Sequence, residues 1–273
     1  MESGYTTYNY VGGLGNQLFG IYTCLSYALK HNKNPIFEYK TISPSITHRI
    51  TYWNTIFKTL KTYFNENIKW NKIEENNEGI YNKNHYNPNE NIMFDGYFQS
   101  YHNFIDNYKE INKILCIEEQ KQIVKNKYMK YFDKKQNIAI HFRLGDYKKL
   151  QQHHPLLPDS YYINALKHID LNENQKLLIF CEKEDYDFIY YRVQNILRNI
   201  MKSHIECILI DINNEIDEFF LMSLCDYIII ANSTFSWWSA FFSNHVNIYI
   251  PYKWFHGNTR EGLILKNWKI VLF

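Results

Sequence analysis

Apolar runs and segments of helical periodicity alternate along the second half of the chain. The runs predict strands, at 138–142, Leu177–Cys181, Cys207–Ile210, Tyr227–Ala231 and Val246–Ile250. The periodic segments between them predict helices, at Asp159–Ile169, Asp185–Met201, Glu215–Leu224 and Phe235–Phe242. Strands that alternate with helices in this way are typical of a parallel, doubly wound sheet.

The first half is less regular but also opens with a strand, a glycine turn and a helix. The predicted elements are Tyr8–Val11, Asn16–Lys30, Pro35–Tyr39, Tyr52–Tyr63, a strand from Ile92, Phe104–Leu115 and Glu118–Tyr131, with a long surface excursion holding short strands over 65–91. Polar residues interrupt the apolar pattern at Lys134–Asn137. We therefore predict an α/β protein with two Rossmann-like domains, residues 1–135 and 136–273, that face each other across a cleft.

Charge and composition exclude several classes of protein. The 273 residues carry a formal net charge of +2, so there is no general basic field of the kind that nucleic-acid binding needs. No run reaches the roughly 18 apolar residues of a membrane span, and the N-terminus lacks a signal peptide's pattern. The five cysteines are dispersed, which indicates thiols in a reducing compartment. We expect a soluble, cytoplasmic protein without a transmembrane segment, and its oligomeric state is open.

The segment His141–Tyr147 directly follows the apolar run Ile138-Ala139-Ile140, which predicts a buried parallel strand. It delivers His141, Arg143 and Asp146 to the carboxyl end of a strand, which is where ligands bind in open α/β sheets. A fixed guanidinium there suits a phosphate or pyrophosphate, because it can donate two parallel charged hydrogen bonds. The alternative is an Arg143–Asp146 ion pair that only closes a loop.

A glycine-rich turn, Gly12-Gly13-Leu14-Gly15-Asn16-Gln17, precedes the first helix. Glycines allow backbone amides to approach a ligand, and a helix N-terminus favours anions. The turn fits neither the dinucleotide fingerprint, because Leu18 takes the last glycine position, nor the P-loop pattern. A purely structural turn is therefore at least as good an interpretation.

The segment Asn232–Trp238 lies between a strand and a helix and carries an amide and several hydroxyls. Hydroxyls in this position can cap the helix, but they can also hold phosphate oxygens at the switch point of the sheet. Asp217 and Glu218 begin the preceding helix. Either carboxylate could accept hydrogen bonds from the N1 and N2 edge of guanine, or simply stabilise the helix N-terminus.

Two further clusters have the composition of metal sites but not the pattern. Asp185-Tyr186-Asp187 matches the D-x-D pattern of metal-dependent glycosyltransferases, and we interpret it as a charged helix terminus. His153-His154 has no acidic or thiol partner at ligand spacing. We predict no catalytic metal.

Four segments together resemble the α-1,2-fucosyltransferases, in the same order along nearly the whole chain. They are Gly12–Phe19, Gly96–Ser100, His141–Tyr147 and Asn232–Trp238. The resemblance implies a GT-B-like fold, GDP-fucose as the donor, a glycan or glycolipid acceptor, inversion at the anomeric carbon and no metal or other cofactor. It places the family's first motif arginine at Arg143 and puts Leu144 where a second arginine usually stands.

The resemblance also implies roles for individual residues. Arg143 would hold the pyrophosphate, with His141 and Asp146 as further catalytic candidates and His141 against the nucleotide. Glu218, with Asp217 as the alternative, would bind guanine. The other implied donor contacts are Gly13, Gly15, Asn16, Gln17, Asn232, Ser233, Thr234, Phe235 and Ser236. Another nucleotide-sugar donor, or a non-catalytic nucleotide- or sugar-binding protein of the same fold, are the remaining alternatives.

Overall fold

A computed structural model describes residues 4–43, 49–64, 68–82, 87–148, 151–152, 154–245, 247–256 and 261–273. The chain divides into two compact units: one extends to Gln120 and includes Glu261–Leu263, and the other begins at Lys121. The predicted boundary at residue 135 thus lies inside the second unit. The second unit begins at Lys121, which is buried and whose ammonium donates to the carbonyl of Phe242, 2.8 Å away in the same unit.

The first unit contains a parallel sheet of four strands. They are β1 (Tyr5–Asn9), β2 (Asn34–Pro35), β3 (Asn71–Glu74) and β4 (Ile92–Asp95), in the order β2-β1-β4-β3. The helices are α1 (Leu14–His31) and α2 (Tyr108–Ile114), while α3 (Ile117–Lys127) crosses the boundary between the units. The 3₁₀ turns are Lys58–Tyr63, Tyr101–Asn103 and Glu261–Leu263.

Helix α1 packs unusually closely on the strand that precedes it. Its residues from Leu14 to Ala28 are almost all buried. A methyl group added to Gly20 would lie 1.9 Å from the ring of Tyr8, which is 1% exposed. The glycine therefore sets the distance between α1 and β1, because any side chain at this position would collide with a fixed aromatic ring.

The predicted helix at Tyr52–Tyr63 is wrong. Residues 53–57 form turns and Lys58–Tyr63 is a 3₁₀ helix. Trp53 is fully buried in an aromatic cluster with Tyr10, Phe37, Phe57 and Phe64. Packing of these rings on several sides competes with a regular helix, which would present them along one stripe only.

The second unit contains a parallel sheet of six strands with helices between them. The strands are β5 (Gln136–His141), β6 (Gln175–Phe180), β7 (Glu206–Leu209), β8 (Tyr227–Ile229), β9 (Asn247–Pro251) and β10 (Lys269–Val271). The helices are α4 (Asp159–Lys167), α5 (Tyr186–Asn199), α6 (Glu215–Ser223) and α7 (Thr234–Phe241). Further 3₁₀ turns occur at Met129–Tyr131, Gly145–Lys148 and Lys183–Asp185.

The strand order of this sheet is β10-β9-β8-β5-β6-β7, and all neighbouring pairs are parallel. The order reverses between β5 and β8, so a crevice opens at their carboxyl ends. The predicted α/β fold with two Rossmann-like domains is confirmed. Among the helices that the structure describes, none combines the length and the apolar character needed to cross a membrane.

Candidate active site

Two of the predicted site segments meet at the switch point of the six-stranded sheet. His141 ends β5, and Asn232 follows β8 by a few residues. The two strands are paired side by side, with Ile140 opposite Ile229. The hydroxyl of Tyr147 donates to the carbonyl of Asn232 at 3.0 Å and joins the two segments directly. The structure thus brings together the two segments that the sequence predicted to bind phosphate.

Arg143 is held between two carboxylates. Its Nη1 donates to Oε1 of Glu182 at 2.5 Å, and its Nη2 donates to Oδ1 of Asp146 at 2.6 Å. The carbon of the guanidinium lies 5.4 Å from the ring centroid of Tyr147. These contacts fix the orientation of the guanidinium while 22% of the side chain stays exposed. The Arg143–Asp146 ion pair that the sequence offered as an alternative is therefore present, together with a second carboxylate.

Glu182 is a site residue that the sequence analysis missed. Burial raises the pKa of its carboxyl, although Arg143 acts in the opposite direction. Its Oε2 is buried and has no hydrogen-bond partner within the described part of the chain. A methyl group on Gly145 would lie 1.7 Å from this oxygen. The absence of a side chain at Gly145 therefore makes room for the Glu182 carboxylate. The sequence does contain a signal for this residue, since Glu182 closely follows β6 just as Arg143 follows β5.

His141 is a buried residue at the end of β5. It is 6% exposed, and its ring centroid lies 5.8 Å from that of Phe235. Burial, with a smaller effect of Arg143, lowers the pKa of His141 to about 3. The imidazole is therefore neutral at physiological pH and adds no positive charge to the site. Its Nδ1 has no hydrogen-bond partner among the described residues.

The polar residues around the start of α7 differ in whether their side chains already bond to the protein backbone. The amide of Asn232 donates to the carbonyls of Pro155 at 3.0 Å and Trp254 at 3.2 Å. The hydroxyl of Ser236 lies within hydrogen-bond distance of the carbonyls of Ala231 and Ser233. Ser233 occupies the N-cap position, but its hydroxyl makes no capping bond to the helix. Ser233 and Thr234 are thus better placed than Asn232 or Ser236 to contact a ligand.

The two carboxylates of α6 have different surroundings. Asp217 pairs with Lys127 at 2.6 Å and accepts a hydrogen bond from Tyr128 at 2.8 Å. The carboxylate of Glu218 has no hydrogen bond or ion pair with any described residue. Burial raises its pKa to about 8, and the neighbouring Glu215 and Glu182 add to the rise. Glu218 is therefore the carboxylate with capacity left for a ligand.

The glycine turn of the first unit is held by hydrogen bonds to both near and distant parts of the chain. Gly12 has a positive φ of 67°, which favours glycine. The buried side chain of Gln17 donates to the carbonyls of Gly12 at 2.9 Å and Ile50 at 2.8 Å. Asn16 accepts a hydrogen bond from Gln99 at 2.9 Å. Gly13 is the N-cap of α1 and has open space around it, whereas Gly15 is buried inside the helix.

One acidic cluster borders the Arg143 site. Glu182, Glu184 and Asp185 bring their oxygens within 4.8 Å of one another. Two of them already face cations, because Glu182 pairs with Arg143 and Asp185 pairs with Lys148. Of the pair His153-His154 considered for metal binding in the sequence, His153 lies outside the described residues.

The chain is similar to known glycosyltransferases. The sequence profile of glycosyl transferase family 11 matches residues 2–271. The O-antigen biosynthesis glycosyltransferase WbnK of Escherichia coli is 32% identical over 136 residues, which is 48% of this chain and 43% of that protein. An alpha-1,2-colitosyltransferase of Escherichia coli is 30% identical over 124 residues, 44% of this chain and 41% of that protein. The alignments thus span less than half the length of these two relatives.

The fold has a solved counterpart. The crystal structure of fucosyltransferase NodZ from Bradyrhizobium has a TM-score of 0.50 over 89% of this chain and 94% of that chain, at 10% sequence identity. At that identity the likeness shows the fold alone, and it confirms the predicted GT-B-like type. Because the family profile extends over nearly the whole sequence, the chain belongs to glycosyltransferase family 11, a family of fucosyltransferase-type glycosyltransferases.

Proposed function

We propose that this protein transfers L-fucose from GDP-fucose to the 2-hydroxyl of a galactose-like residue in a glycan or glycolipid. The observation that carries the proposal is the fixed, partly exposed guanidinium of Arg143 at the switch point of the sheet. A guanidinium in this position can bind the diphosphate of a nucleotide sugar with charged hydrogen bonds. Ser233 and Thr234, at the start of α7, are placed to add hydroxyls and the positive end of a helix dipole.

The proposed reaction is a single displacement with inversion. The acceptor oxygen forms a bond to the anomeric carbon while the bond from that carbon to the β-phosphate oxygen breaks, and the hydroxyl proton passes to a base or to solvent. Negative charge builds on the leaving GDP. Arg143 would stabilise that charge, and no metal is needed for this step in the proposal. Asp146 holds Arg143 through a 2.6 Å hydrogen bond, so we assign it the orientation of the guanidinium rather than proton transfer.

The packing of this chain suits a leucine at the position where the resemblance puts a second motif arginine. Leu144 is 6% exposed and belongs to the hydrophobic core of the second unit. A charged side chain at that position would be buried among apolar neighbours, at a large energetic cost. The proposal therefore assigns the diphosphate to one arginine, assisted by backbone amides and hydroxyls.

The deciding experiment is transfer from GDP-fucose, with EDTA present, to a panel of β-galactosides, with the product linkage read by NMR. An α-1,2 product supports donor, linkage and metal independence together. GDP binding without transfer or donor hydrolysis across the panel would favour a non-catalytic binding protein instead.

Transfer of colitose is the second candidate. One relative that is 30% identical over 124 residues is an alpha-1,2-colitosyltransferase, and colitose is the 3-deoxy form of L-fucose. The same panel with the GDP derivative of colitose distinguishes the two donors through the ratio of their kcat/KM values.

Glu218 gives a prediction about pH. The guanine edge offers two N–H donors, which require an ionised carboxylate, and the pKa of about 8 leaves Glu218 mostly protonated at pH 7. We expect the Kd for GDP to fall about tenfold per pH unit between pH 6 and 7 and to level off above about pH 8. Isothermal titration calorimetry across this range measures the slope.

A pair of neighbouring variants controls this prediction. Glu218→Gln should weaken GDP binding and remove the slope, while Asp217→Asn, which changes a carboxylate already paired with Lys127, should preserve it. A slope that survives in Glu218→Gln would assign the titration to the phosphates of GDP.

A further inference from the structure

Three aromatic side chains form a ladder beside Arg143. The guanidinium lies over Tyr147, the ring of His154 stacks on Tyr147 with centroids 4.5 Å apart and planes 17° apart, and Phe255 follows at 5.7 Å from His154. We call Tyr147, His154 and Phe255 the aromatic ladder. All three residues are partly exposed. Because the ring faces of Tyr147 lie against Arg143 and His154, the ladder presents aromatic edges next to the group proposed to bind the diphosphate.

Asn232 holds the ladder together. Its carbonyl accepts the hydrogen bond of the Tyr147 hydroxyl. Its amide donates to the carbonyls of Pro155 and Trp254, the immediate chain neighbours of His154 and Phe255. One residue, through its backbone carbonyl and its side-chain amide, thus joins the three loops that carry the rings. These hydrogen bonds connect loops that are separate in the sequence. The positions of the three rings therefore depend on one another.

The ladder lies on one particular side of Arg143. Asn232 follows β8, and Trp254 and Phe255 follow β9. Glu218 is on the opposite side, since it lies in the first turn of α6, which follows β7, the strand beyond β6 in the sheet. Arg143 follows β5, which is between β8 and β6 in the sheet. A nucleotide sugar with guanine near Glu218 and its diphosphate on Arg143 consequently directs its sugar toward the ladder.

We infer that the aromatic ladder is the subsite for the transferred sugar and that it selects a 6-deoxyhexose. This inference rests on the proposed function. The methyl group and ring C–H groups of a 6-deoxyhexose gain contact with these aromatic rings. A 6-hydroxyl in the same place would lose hydrogen bonds to water, and an aromatic ring offers poor replacement. The ladder therefore favours GDP-fucose over GDP-L-galactose, which differs from it only by that hydroxyl.

The test compares GDP, GDP-fucose and GDP-L-galactose on the full chain and on the variant His154→Ala/Phe255→Ala. Titration calorimetry gives the three Kd values, and thermal unfolding checks that the variant is folded. We expect the wild-type preference for GDP-fucose over GDP-L-galactose to fall about tenfold in the variant, with the Kd for GDP unchanged. Phe188→Ala removes an aromatic ring that is 61% exposed on α5 and should preserve the preference.

A second pair of variants guards against misfolding. His154→Phe retains an aromatic ring and should keep the preference, whereas His154→Asn should lose it. An unchanged preference in the alanine variant, or an equal weakening of GDP and both sugar nucleotides, would overturn the subsite. Wild-type protein that binds neither GDP nor GDP-fucose would refute the proposed function, and the subsite with it. GDP-fucose binding with an intact preference in the variant would refute the subsite alone.

Discussion

Replacing Arg143 by alanine is expected to lower kcat/KM for sugar transfer by about 10³-fold. The guanidinium is the group proposed to meet the negative charge that develops on the leaving GDP. With Leu144 in the core, the adjacent position supplies no second charge. Steady-state transfer assays with radiolabelled GDP-fucose measure the loss, and Arg143→Lys should recover only part of it, because an ammonium lacks the two-pronged geometry.

The controls for this prediction separate chemistry from folding. Arg143→Ala leaves Glu182 and Asp146 without their shared cation, so its thermal unfolding must be compared with that of the wild type. Arg198→Ala is the matched control, since Arg198 donates at 3.1 Å to Asn195 on its own helix, in an exposed position. A folded Arg143→Ala protein whose activity lies within tenfold of wild type would refute the proposed role.

Gly20→Ala is expected to destabilise the first unit by about 3 kcal/mol. The added methyl group would lie 1.9 Å from the buried ring of Tyr8. Helix propensity alone favours alanine over glycine by about 1 kcal/mol in the middle of a helix such as α1. The sign of the effect therefore tests the close approach of α1 to β1: contact predicts a loss of stability, and open space predicts a gain. Urea denaturation followed by tryptophan fluorescence provides the measurement.

Two further variants complete this test. Gly13→Ala adds a methyl group where nothing lies within 4 Å, so its cost should stay at or below about 1 kcal/mol, the effect of alanine at an N-cap. Tyr8→Leu in combination with Gly20→Ala should recover part of the lost stability, because the smaller side chain makes room. If Gly20→Ala were as stable as Gly13→Ala, the described packing would be incorrect.

The second unit could be predicted from the sequence because its central strands, such as β5 and β6, are buried on both faces. Continuous apolar runs such as Ile138-Ala139-Ile140 have few alternatives to a central parallel strand. The strand β10 was not predicted, because it is a three-residue edge strand defined by its pairing with β9. Likewise, the aromatic cluster around Trp53 replaces the expected helix through contacts with distant residues such as Tyr10.

In the site, too, contacts between residues that are distant in the sequence could not be predicted. Arg143 could be placed from its position after a strand, but its contact with Glu182 depends on β5 and β6 being neighbours in the sheet. Asn232 reads as a ligand-binding amide, yet its donors go to the carbonyls of Pro155 and Trp254. The local sequence pattern thus predicts where these polar residues lie. Their hydrogen-bond partners depend on the order of the strands in the sheet.

The two carboxylates on Arg143 also affect which anions the protein admits. Together the three side chains carry one net negative charge, so they repel inorganic phosphate and sulfate at a distance. A small anion that reaches the guanidinium competes with the two carboxylates and makes fewer contacts than a larger ligand to offset that competition. A nucleotide sugar brings a base and a sugar with it. The site can therefore discriminate against the abundant salts of the cell while retaining an arginine for its substrate.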